Sequence, residues 1–153
     1  MESAYAHGHI AAGLIAPEQL ARVWPTVAVW LRRSLEVCPS WHISLTTARA
    51  RVARRRYGLL VGAVGDCIAG AVLLEHVELR GERLLTVVAA GGERGQALEL
   101  TGPVLWDAIE RIANGLGVDA IRVRGRPGWL RWIHGRGRLR EVLIDYEVKH
   151  GRR

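Results

Sequence analysis

Apolar residues recur along this chain with two different periods, and the change of period divides it. Leu20, Val23, Trp24, Val27, Trp30, Leu31 and Leu35 follow one another mostly at intervals of three and four, the spacing that lines up one stripe of an α-helix and predicts a helix laid against a sheet. Ala16-Pro17-Glu18 announces that helix, because proline is tolerated in a first turn and a carboxylate there meets the positive end of the helix dipole. Pro25 falls inside the stripe, where a missing N–H and a ring clash predict a kink or two abutting helices. Cys38-Pro39-Ser40 closes the element, and Ser40 is placed to cap a second helical region from Trp41 to Arg56 whose arginines face solvent. The segment before Ala16 has no strong period and reads as weakly structured.

From Tyr57 the period shortens. Leu59 to Val64 and Cys67 to Glu75 are β-type runs joined at Gly65-Asp66, a two-residue turn signal that predicts a hairpin. Val77 to Arg80 can extend the second run. Arg80-Gly81-Glu82-Arg83 marks another turn, and Leu84 to Ala90 then gives the third strand of an antiparallel meander. Thr101-Gly102-Pro103 announces the next helix, with Thr101 as its cap, Pro103 in its first turn, and Leu105, Ala108, Ile109, Ile112 and Leu116 as its apolar stripe. Asn114-Gly115 and Gly117 end it. A strand over Val118 to Val123, a helix over Arg126 to Ile133 and a last strand over Glu141 to Val148 complete the chain. These elements make a mixed α/β sheet with helices on both faces. Periodicity alone leaves several such sheets open.

Composition narrows the picture. At 153 residues, 49% of them hydrophobic, the chain suits a single domain over residues 1–153 with a core of its own. No apolar run approaches the length of a membrane span, and Met1 to His7 lacks the basic-then-apolar layout of a signal peptide, so a soluble intracellular product is expected. Cys38 and Cys67 are far apart and in no metal-ligand spacing, which reads as two buried reduced thiols. His7 and His9 could pair on a metal, but no further ligand stands nearby and no metal site is expected.

The net charge of +7 rests on arginine, Lys149 being the sole lysine among 22 basic residues. Arginines cluster from Arg49 to Arg56, from Arg122 to Arg140 and at Arg152-Arg153, a field able to attract phosphate backbones or an anionic cofactor. No zinc-finger ligands, RNA-recognition strand pair or convincing helix-turn-helix accompanies them. A solvated basic surface and a nucleic-acid site both remain open.

One stretch combines turn, charge and aromatics: Arg124-Gly125-Arg126-Pro127-Gly128-Trp129-Leu130-Arg131-Trp132, directly after the strand Ala120 to Val123. Pro127 fixes its own φ and extends Arg126, while Gly125 and Gly128 supply freedom on either side, so a defined turn is predicted. Trp129, Trp132 and Ile133 share a helical face suited to the sheet. Arg126 falls at a strand end, where α/β sites usually lie, and its guanidinium could bridge carbonyls or a carboxylate such as Asp119 or Glu147.

This turn, with Gly117 to Val123 before it, resembles the closing part of small GNAT-like proteins (the Gcn5-related N-acetyltransferase fold) encoded by tailed bacteriophages and prophages, internal-virion proteins among them. In that group a G-R-x-G-W-x-R turn follows the fifth strand. The Trp24-Pro25 helix, Ile68-Ala69-Gly70-Ala71, Leu84 to Val88 and Gly91-Gly92 fall in the same order, so the similarity runs from about Ile15 to Glu147. It implies a GNAT-like fold: antiparallel meander, crossover helix, parallel strand and a C-terminal helix and strand.

In active GNAT enzymes, the resemblance further implies, a Q/R-x-x-G-x-G/A loop holds the acetyl-CoA pyrophosphate through backbone amides and a helix N-terminus, a geometry that favours anions. The corresponding stretch offers Gly91, Gly92, Arg94 and Gly95 as cofactor-binding residues, yet Ala97 replaces the first glycine and Glu99 the second small residue. Glu99 would set a carboxylate beside phosphates. Glu75, His76 and Tyr146 are the groups a family-like site would offer for catalysis, and Arg126, Gly128 and Trp129 are the anchors of the turn. The expectation is a GNAT-like domain with a degenerate loop and no cofactor, acting as a virion-associated structural or interaction protein in the bacterial host cytoplasm or the virion. Its partners would be other virion proteins or itself. The alternatives are an acetyl-CoA-dependent N-acetyltransferase and a nucleic-acid-binding protein acting through the arginine clusters.

Overall fold

The computed structural model describes residues 8–37, 43–94 and 96–123. Along the chain they form β1 (Ile10–Leu14), a 3-10 turn (Pro17–Gln19), α1 (Leu20–Val37), α2 (Leu45–Ala53), β2 (Gly58–Val64), β3 (Cys67–Leu79), β4 (Glu82–Gly92), α3 (Gln96–Leu116) and β5 (Ala120–Val123). The strands lie side by side in chain order, β1 to β4 antiparallel and β5 parallel to β4. A parallel neighbour needs a crossover, and α3 supplies it. The result is the expected mixed α/β sheet, covered by α1 and α2 on one face and by α3 on the other.

The two hairpins follow from their turns. Val64 faces Cys67 across Gly65-Asp66, with Gly65 at φ 58°, and Leu79 faces Glu82 across Arg80 and Gly81, both at positive φ. Two-residue loops with a positive φ at their first residue match the twist of the strands they join. Cys67 is exposed at the first hairpin's edge rather than buried, because the first residue after so tight a turn lies at the rim of the sheet. Cys38 lies outside the described residues.

The stripe of α1 packs as its spacing predicts, with Val27 and Leu31 fully buried and Leu20, Val23 and Trp24 nearly so against Leu59, Ala71 and Leu73. Pro25 does not divide it: one helix runs from Leu20 to Val37. Pro25 stands near the helix start, where it forfeits only one bond, and the buried stripe outweighs that loss. The second helix is capped by Ser44, whose Oγ accepts from the Thr47 amide at 3.1 Å, and it begins at Leu45 rather than Trp41. Ser40 lies outside the described residues.

The segment before Ala16, expected to be weakly structured, contributes β1, whose five residues pair with Leu60 to Val64. Alanine and glycine are poor strand formers, so this strand owes its form to its partner rather than to its own propensity. The helix α3 begins at Gln96, five residues before the predicted cap, and holds Pro103 in its interior. The cause is packing. Thr101 is fully buried, and it and Leu105 sit on Gly62 and Gly70, where any Cβ would approach them to 3.0–3.1 Å. Seating those side chains requires the turn that carries Thr101 to lie on the sheet, at the expense of the hydrogen bond Pro103 cannot donate. Gly117 ends α3 as predicted, at φ 63° with its amide on Asn114 and that of Val118 on Ala113, a Schellman cap. The predicted C-terminal helix and strand lie outside the described residues.

Candidate functional site

The last residues of β4 and the start of α3 are where the cofactor loop was expected. Here β4 runs five residues beyond Val87, the last residue it pairs with β5. A bulge at Val88, between Val87 facing Leu74 and Ala89 facing Leu73, shifts the alternation. Ala90 and Gly92 consequently face α3, and Ala89 and Gly91 face α1. The side chains that Gly91 and Gly92 lack would therefore point to opposite sides of the sheet.

Helix α1 closes on this end of β4. A side chain at Gly91 would start 2.9 Å from Trp30 Cβ and 3.1 Å from the Trp30 carbonyl oxygen, so this glycine is accounted for by the approach of α1. The Ala90 amide donates to Ser34 Oγ at 3.1 Å, and the Glu93 amide donates to the Ala69 carbonyl at 2.8 Å. Both amides are committed within the fold before the loop begins. Arg94 is exposed, Gly95 lies outside the described residues, and Glu99 places a carboxylate in the first turn of α3. That carboxylate already answers the positive end of the helix dipole. Ala97 and Glu99 thus stand where the Q/R-x-x-G-x-G/A spacing has small residues.

The catalytic candidates do not converge. Glu75 and His76 are neighbours in β3 and so face opposite sides: Glu75 is half-buried on the α1 side, and His76 is exposed on the α3 side. Glu75 lies four positions along β3 from Ala71, the partner of Gly91, a distance of about 13 Å along the strand. Tyr146, and the turn anchors Arg126, Gly128 and Trp129, lie outside the described residues. Asp119, a suggested partner of Arg126, accepts from the Arg83 amide at 2.8 Å, with the Arg83 Nε 4.0 Å away.

Among the arginines of the α2 cluster, Arg49, Arg54, Arg55 and Arg56 are exposed. Arg51 is held: it donates to the Tyr57 hydroxyl at 2.6 Å and lies 5.2 Å from the ring centroid. Arg55 occupies φ 59° at the end of α2, with its amide on Val52 and that of Arg56 on Arg51, the same cap that Gly117 makes for α3. A depression of about 360 Å³ lies between the end of α3 and β5, beside Glu110, Asn114 and Asp119. None of the predicted site residues lines it, and its Glu110 is engaged by Trp106 Nε1 at 2.9 Å. Among the described residues no helix is long and apolar enough to cross a membrane.

Sequence reasoning did not find a further set of polar residues. Register places Glu75 of β3, Thr86 of β4 and Arg122 of β5 side by side in one row on the α1 face. Thr86 is only 2% exposed, and its neighbours are half-buried. Two of the three lie in stretches read as plain strand, and only the pairing of β5 with β4 brings them together.

No family model matches this sequence, and no curated sequence does. Solved structures do match in shape. A ribosomal-protein-alanine N-acetyltransferase from Brucella melitensis biovar Abortus 2308 aligns over 94% of this chain and 100% of its own, with a TM-score of 0.62 and 15% identity. An aminoglycoside acetyltransferase from an uncultured soil metagenomic sample, in complex with trehalose, aligns over 92% and 97% with a TM-score of 0.64 and 12% identity. A protein from Thermus thermophilus aligns over 92% and 98% with a TM-score of 0.57 and 19% identity. The chain therefore has the mixed α/β fold of the GNAT acetyltransferases. At these identities the likeness is one of fold, and activity has to be argued from the site.

Proposed function

We propose that this chain is a GNAT-fold domain that has given up acyl-CoA chemistry and works as a binding or structural component. The observation that carries the reading is the loop after β4, where Ala97 and Glu99 stand in place of small residues, and α1 packs on the strand end before it, Trp30 against Gly91 and Ser34 on the Ala90 amide. The committed Glu93 amide and Glu99 in the first turn of α3 support it. The virion-associated role implied by the resemblance to phage-encoded proteins is the specific form of this proposal, with other virion proteins or a second copy as partners.

The test is a melt with and without acetyl-CoA. A ligand at a hundredfold excess over its dissociation constant would stabilise the fold by about 2.7 kcal/mol, so binding would be plain. The expected result is no shift at millimolar acetyl-CoA. A saturable shift, lost with dephospho-CoA, overturns the proposal in favour of the second reading, an acetyl-CoA-dependent N-acetyltransferase. That reading is favoured by the acetyltransferases among the structural neighbours. For the virion role, mass spectrometry of purified particles from the producing host is expected to detect the chain, and its absence from them would remove that role.

A further inference from the structure

We infer that the outer edge of β1 is the contact by which two copies of this chain join, antiparallel and centred on Ala12, so that one sheet runs through both. Ile15 donates its amide to the Leu59 carbonyl at 2.8 Å, and Gly65 donates its amide to the His9 carbonyl at 2.8 Å. In an antiparallel ladder such bonded pairs alternate with pairs whose backbone groups point away from the partner strand. Ile10 to Leu14 pair in unbroken register with Val64 to Leu60, so the backbone bonds of Ala11 and Gly13 run inward to β2. The amides and carbonyls of Ile10, Ala12 and Leu14 therefore point outward. β1 ends the sheet, and among the described residues nothing meets those groups.

A second copy is the occupant that fits this edge. The outward groups are spaced evenly about Ala12, so a two-fold axis there sets Ala12 on its own counterpart and Ile10 on Leu14 of the copy. Every outward amide then meets an outward carbonyl. The side chains agree with this pairing. Ile10, Ala12 and Leu14 share the α3 face, and Leu14, 55% exposed, would receive Ile10 of the copy beside it as an apolar cross-strand pair. Leu14 is also one wall of a depression of about 280 Å³ between β1 and α3, lined further by Leu60, Ala108, Arg111 and Ile112. On the other face Ala11 and Gly13 are small and exposed, and a Cβ at Gly13 would meet nothing within 4 Å. The helix leaves room as well: Gly62, the partner of Ala12, and Gly70 lie under Thr101 and Leu105, so at that level α3 sits over β2 and β3 and clear of the edge. Edge strands are commonly guarded by charge, proline or a bulge, and β1 has none of these. The contact gives a surface to the second copy named above as a partner. It uses no residue of the β4 end, so its failure and that of the acyl-CoA reading are told apart.

The experiment is sedimentation velocity of the full chain from micromolar to near-millimolar concentration, where a reversible monomer–dimer equilibrium is expected. Ala12→Pro removes an outward amide while leaving the ladder to β2 intact, and Leu14→Lys sets a charge on the edge. Each should weaken association roughly tenfold or more. Val29→Lys, at an apolar position of α1 that is also 55% exposed, should leave it unchanged. Far-UV circular dichroism establishes that each variant is folded, and Leu14→Lys carries the test should Ala12→Pro fail to fold. A folded parent that stays monomeric throughout overturns the proposal and leaves the edge to a strand of a different protein. So does a dimer that the folded edge variants keep, or one that Val29→Lys weakens as much as Leu14→Lys does.

Discussion

The two faces of the sheet are built on different terms. On the α3 face, Leu60, Val72, Leu74, Leu85 and Val87 meet Leu105 and Ile109 in an aliphatic layer, and Gly62 and Gly70 give way to the side chains of Thr101 and Leu105 rather than to helix backbone. On the α1 face, the helix touches β4 with its own backbone at Gly91, holds it with Ser34, and leaves the row of Glu75, Thr86 and Arg122 beyond its apolar cover. One face is a core. The other carries polar groups among its buried residues, with Thr86 as little exposed as the aliphatics beside it.

The sharpest way to break this contrast is to empty the α3 face. Ile109→Ala, at a fully buried position, should cost about 2–5 kcal/mol by lost transfer energy and a cavity, read from urea midpoints at constant m. Next comes the comparison of glycines. Gly91→Ala should cost about 1–3 kcal/mol, since Trp30 backbone atoms cannot yield, whereas Gly70→Ala should cost less because it meets only side-chain atoms, Leu105 Cδ1 at 3.0 Å and Thr101 Oγ1 at 3.1 Å. Equal costs at the two positions would remove the distinction between the faces.

Last, Arg55→Gly should stabilise by up to about 1 kcal/mol, since the left-handed cap of α2 carries arginine where α3 has Gly117. A melt of that variant beside Gly117→Ala, which should destabilise, compares the two caps directly.

Much of the fold was legible because burial imposes a period. The stripe from Leu20 to Leu35, the hairpin at Gly65-Asp66 and the meander follow from spacing and turn chemistry alone. The strand β1 was not legible, since Ile10-Ala-Ala-Gly-Leu14 has little propensity of its own and is a strand through its pairing with β2. The start of α3 was misread because Pro103 is a strong start signal, and only the glycines under Thr101 show why the helix begins earlier. For the candidate site, the alternation of a strand already separates Glu75 from His76, a signal present in the sequence. The neighbourhood of Thr86 and Arg122, and the reach of Ser34 to Ala90, depend on register across long sequence separations, which no local pattern carries.

The bulge at Val88 also bears on how this strand could change its length. Within β4, Val88 and Ala89 both pack toward α1, while Val87 before them and Ala90 after them face α3. Deleting Val88 alone would leave Val87, Ala89 and Ala90 on their present sides, so the pleat reads on in the same frame. Deleting a residue from Leu84 to Val87 would turn the segment on one side of the gap over and exchange its inward and outward faces. Among relatives of this chain, single-residue length differences in β4 would therefore be tolerated at Val88 and selected against in the four residues before it.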